Sequence, residues 1–116
     1  MVWDPKRITR KEWSEAALFF RNLEDRNSDF QPLRELVEHV AVQHYAASLG
    51  AAVSGTALLV APRDAVEWGA SCLRIDVSLA GAVQLSAAGR PTSSPPPGRG
   101  ALAAAFERAV RDAGWV

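Results

Sequence analysis

The chain has 116 residues, close to the commonest size of one domain, so it can bury a core without disulfide or metal staples. Its 13 basic and 13 acidic residues cancel, which argues against strong nonspecific binding to nucleic acid or an anionic membrane surface but leaves room for a local basic patch. The single cysteine, Cys72, excludes an internal disulfide, and no apolar run reaches the roughly 20 residues of a spanning helix.

Residues 1–8 read as an irregular lead-in, with Asp4-Pro5 as a turn signal. Charge there has no apolar stretch behind it, so no secretory signal is expected and the chain is expected in the cytoplasm. The alanine- and arginine-rich composition suggests a GC-rich bacterial genome. Thr9 and Glu12 have the spacing of a capping box and predict a helix over about 10–25. Trp13, Ala16, Ala17, Phe20 and Leu23 form its apolar stripe, while Leu18 lies among the polar residues of the other face. Asn27-Ser28-Asp29 is a break and a second cap. A second helix is expected over about 31–49, with Pro32 in its first turn, Leu33, Leu36, Val37, Val40, His44 and Ala47 as its stripe, and Gly50 as its C-cap. Val42, Tyr45 and Leu49 share another side of that helix and widen its apolar arc.

Three strands should follow. Residues 52–61 read as a buried strand, closed by the turn Pro62-Arg63-Asp64. Residues 66–79 read as a second, with Leu73, Ile75, Val77 and Leu79 inward and a bulge near 69–71 to reconcile Trp68, Ala70 and Cys72. Residues 83–88 read as a third, and an odd number of loop residues is needed before it to keep Val83 and Leu85 inward. The Pro/Gly-rich stretch 89–100 predicts a mobile loop, and a third helix is expected over about 101–113, with Leu102, Phe106, Ala109, Val110 and Ala113 inward and Glu107–Arg111 and Arg108–Asp112 paired on the wet face. The chain is thus one α+β domain of order α-α-β-β-β-α, a three-stranded antiparallel meander with helices packed on one face.

No motif for catalysis, a cofactor or a metal is present, and none of these is expected. His39 and His44 lie about 140° apart on a helix and do not share a face. His44 is expected in the core, His39 on the surface beside Glu35, and Cys72 as a buried inert thiol. Lys6, Arg7, Arg10 and Lys11, interleaved between Trp3 and Trp13, are candidates for anion or nucleic-acid contact, as is Arg99 before the last helix. From about residue 31 the order α-β-β-β-α is similar to that of double-stranded RNA-binding domains, in which a basic cluster opens the last helix. The matching stretch here, Arg99-Gly100-Ala101-Leu102-Ala103-Ala104, holds one basic residue.

Missing chemistry and a wide apolar arc lead to one main expectation: a non-catalytic interaction module, an adaptor, immunity-type or regulatory protein that binds a partner or itself. Leu18, Val42, Tyr45 and Leu49 are its candidate interface residues. A nucleic-acid-binding domain and a small enzyme with a spatially assembled site near His39 or His44 are the alternatives.

Overall fold

In a computed structural model the structure describes residues 8–65, 72–77, 82–87 and 101–116. Among these, the strands β1 (Ile8–Lys11), β2 (Leu49–Ser54), β3 (Ala57–Pro62), β4 (Leu73–Val77) and β5 (Val83–Ser86) form one antiparallel sheet in that order. The helices are α1 (Trp13–Arg26), α2 (Gln31–Ala41) and α3 (Ala101–Asp112). The expected α+β class holds. The sheet has five strands where three were expected, and the chain enters it before the first helix.

The strand alternation explains the two faces. Val53, Leu58, Ile75 and Leu85 lie side by side across β2–β5 and point toward the helices. Leu73, Val77 and Val83 join them, so the inward row lies where alternation put it. Val77 pairs with Val83, leaving the five residues 78–82 between them, the odd number that keeps both on one face. Trp13, Phe20, Leu33, Val37, Val40, Phe106 and Val110 bring all three helices onto this row. On the other face Ala52, Leu59, Ala61 and Cys72 form a second buried cluster.

Three expected elements differ from the structure. Thr9 caps no helix: it lies in β1 opposite Val53. The helix begins one turn later, where Glu15 accepts from the Glu12 backbone N–H at 3.0 Å. Both spacings fit a capping box, and pairing with β2 selects the second. The expected strand 52–61 is two strands folded at Gly55-Thr56, with Ser54 opposite Ala57. Gly55 has φ 61° and Thr56 a negative φ, the pattern of a two-residue type II′ turn with glycine at its first corner. The expected helix 31–49 ends at Ala41. After a turn, a 3₁₀ segment spans His44–Ser48, and Leu49 and Gly50 belong to β2. The tighter winding rotates the stripe, so Ala46 is buried while His44 and Ala47 are exposed. The last helix closes as expected, although Ala113 is exposed just beyond it. The expected bulge, residues 66–71 and 78–79 of the second expected strand with the inward candidate Leu79, and the loop 89–100 lie outside the described residues.

Candidate functional site

Two polar clusters and one cleft hold the chemistry of the described surface. The first cluster clasps α1 to α2. Arg34 donates from Nε to Glu24 at 2.6 Å and from a terminal nitrogen to Glu38 at 2.8 Å, while Arg21 donates to Glu38 at 2.7 Å. The Arg34 hydrogen bonds hold the carboxyls of Glu24 and Glu38 below the usual range. The two pairs that cross between the helices, Arg21–Glu38 and Arg34–Glu24, run in opposite directions along them and fix an antiparallel register, while Arg34–Glu38 links successive turns of α2. One turn beyond Arg21 and Glu38, that register brings Leu18 and Val42 to the same end of the seam. Both face water, Leu18 at 61% exposure and Val42 at 80%.

The second cluster joins α2 and the 3₁₀ segment to α3. The Tyr45 hydroxyl donates to Glu107 Oε2 at 2.7 Å, and His39 Nε2 lies 3.2 Å from the same oxygen. Gln43 donates to the His39 carbonyl at 3.2 Å, and the exposed His44 ring packs edge-on against Tyr45. The Tyr45 bond, and then His39, depress the Glu107 carboxyl. Burial, then Glu107, raises the Tyr45 phenol. Glu107 therefore leaves the wet face assigned to it, and His39 pairs across helices where Glu35 was the expected neighbour.

The cleft lies where β1 enters α1. It measures about 180 Å³ and is lined by Arg10, Lys11, Glu12, Trp13, Glu15 and Arg63, among others. Arg10 donates to the Arg63 carbonyl at 2.9 Å, and the Arg63 guanidinium stands 3.7 Å from Glu12. Lys11 lies over the Phe19 ring at 5.6 Å. At the floor, Trp13 Nε1 donates to the buried Leu49 carbonyl at 3.1 Å.

No protein-family model, curated protein or solved structure matches the chain. Of the four apolar candidates Leu18 and Val42 are exposed, each one turn from the Arg21–Glu38 pair. The fold turns Tyr45 toward Glu107, half-buried, and places Leu49 fully inside the core. The shared helical side expected for Val42, Tyr45 and Leu49 dissolves because the helix ends at Ala41. Of the basic candidates, Arg10 and Lys11 line the cleft, while Lys6, Arg7 and Arg99 lie outside the described residues. Cys72 is buried, and burial pushes its thiol up to about 11. Among the described residues, no three His, Cys, Asp or Glu side chains gather as metal ligands, and no helix is long and apolar enough to cross a membrane. The sequence reading missed Glu107, Arg34 and Arg63. Glu107 had one available signal, its place three residues before the buried Val110, about 60° around α3 from it, at the edge of the packed side.

Proposed function

We propose that the chain is a non-catalytic protein-interaction module of the adaptor, immunity-type or regulatory kind, working in the bacterial cytoplasm. Its contact surface in this reading is the Leu18–Val42 end of the α1–α2 seam. The supporting observation is the exposure of these two aliphatic side chains, each one turn from the Arg21–Glu38 pair that clasps α1 to α2. Apolar residues on a clasped helix pair bind at a reduced ordering cost, and the ion pairs beside them supply a polar rim.

The test uses the double variant Leu18→Asp, Val42→Asp. Both positions are exposed, so its stability should stay within about 1 kcal/mol of wild type. Sedimentation across concentration reads self-association, and capture from lysate followed by titration of the purified partner reads hetero-association. Binding by wild type that the folded double variant loses supports the reading. A wild type that neither self-associates nor binds a purified partner, or a variant that binds equally well, defeats it.

A nucleic-acid-binding reading has one observation in its favour, the gathering of Arg10, Lys11 and Arg63 at one cleft. Glu12 and Glu15 stand among them and offset most of the charge. Retention on an RNA or DNA column at moderate salt, lost when the three cations are replaced together by alanine, would establish this reading instead.

A further inference from the structure

We propose that α3 is a releasable helix, latched by the Glu107 carboxylate and able to open as a unit while α1, α2 and the sheet stay folded. The three helices are anchored unequally. α1 buries Trp13, Ala16 and Phe20, and α2 buries Leu33, Leu36, Val37 and Val40. The Arg34–Glu24 and Arg21–Glu38 pairs clasp these two to each other, and Trp13 ties α1 to β2 through the Leu49 carbonyl. α3 buries Phe106 and Val110, while Leu102, Ala103, Ala105 and Ala109 are covered in part. Elements with fewer buried apolar contacts open at lower free energy than the elements they rest on.

The Glu107 carboxylate carries two of the polar contacts that hold α3. Tyr45 and His39 both meet Oε2 of Glu107, one at 2.7 Å and the other at 3.2 Å. A shift of this one carboxylate breaks both contacts together. Tyr45 and His39 belong to the segment that stays behind, and Glu107 to the segment that leaves. Opening uncovers the part of the core that Phe106 and Val110 fill. This device stands apart from the Leu18–Val42 surface, because neither residue belongs to α3.

Native-state hydrogen exchange tests it, comparing amides within Phe106–Asp112 with amides in the buried turns of α1 and α2. In wild type the α3 amides should be protected at least about tenfold less than the slowest amides of α1 and α2. Glu107→Gln should lower α3 protection by about a further tenfold, the scale of weakening two hydrogen bonds to a half-exposed carboxylate, with α1 and α2 unchanged. Tyr45→Phe, which deletes one hydroxyl and keeps His39, should act in the same place by a smaller factor. Equal protection of all three helices in wild type overturns the proposal. So does a Glu107→Gln variant that changes the three helices alike, or leaves α3 unchanged.

Discussion

At the scale of single residues, Glu107 shows how one side chain changes meaning on folding. In the chain it is one acidic residue in a charged helix face, paired by spacing with Arg111. In the fold it accepts from groups 62 and 68 residues away. Its carboxyl is depressed, chiefly by the Tyr45 hydroxyl and then by His39. The sign of the pH effect follows. A lowered folded pKa gives a contribution that is complete above the ordinary value of 4.5 and is lost as pH falls through the folded value. Urea unfolding of wild type and Glu107→Gln from neutral pH down to about 3 checks this. The stability gap between them should hold steady near neutrality and close on acidification; a gap that widens in acid contradicts the assignment. Trp13 follows the same pattern as Glu107. Its spacing identified a core position, while its indole N–H bond to the Leu49 carbonyl depends on a strand 36 residues on.

At the scale of elements, the β2–β3 hairpin rests on a single backbone requirement. Gly55 sits at φ 61°, where an L side chain is strained, and nothing lies within 4 Å of the position a Cβ would take. The cost of filling it is therefore conformational and independent of side-chain size. Gly55→Ala and Gly55→Ser should each cost about 1–2 kcal/mol, within a few tenths of each other. Midpoints of chemical unfolding measure both, and a serine variant far less stable than the alanine variant would show a clash the geometry lacks. The Ser-Gly-Thr signal for this turn was present in the sequence, inside a run apolar enough to read as one strand. β1 was harder to see. Four residues carry little periodicity, and Thr9 with Glu12 imitates a helix cap until β2 pairs with them. Helix α2 was legible over Gln31–Ala41, where the stripe of Leu33, Leu36, Val37 and Val40 is buried as spaced. Its expected extension failed because the 3₁₀ segment must deliver Leu49 to the sheet beneath Trp13.

At the scale of the whole molecule, the charge balance carries a prediction of its own. A formal charge of zero and an isoelectric point near 6.7 leave little long-range repulsion between copies at neutral pH. Solubility should pass through a minimum close to that pH and rise on either side, measured as saturation concentration across a pH series. A minimum displaced by two or more pH units would mean that the fold shifts many ionisations in one direction.

Periodicity by itself determined the α+β class, the apolar faces of the helices, and the inward row of Leu73, Ile75, Val77, Val83 and Leu85. These depend on residues two to four positions apart, whose relative directions the backbone sets before any packing occurs. The tertiary structure decided which strand β1 would join and where α2 would stop. It also paired Arg21 with Glu38, and brought Glu107 to His39 and Tyr45. Each of these joins residues far apart in the chain, and their partners are chosen by burial and hydrogen bonding between whole elements, which no local spacing encodes.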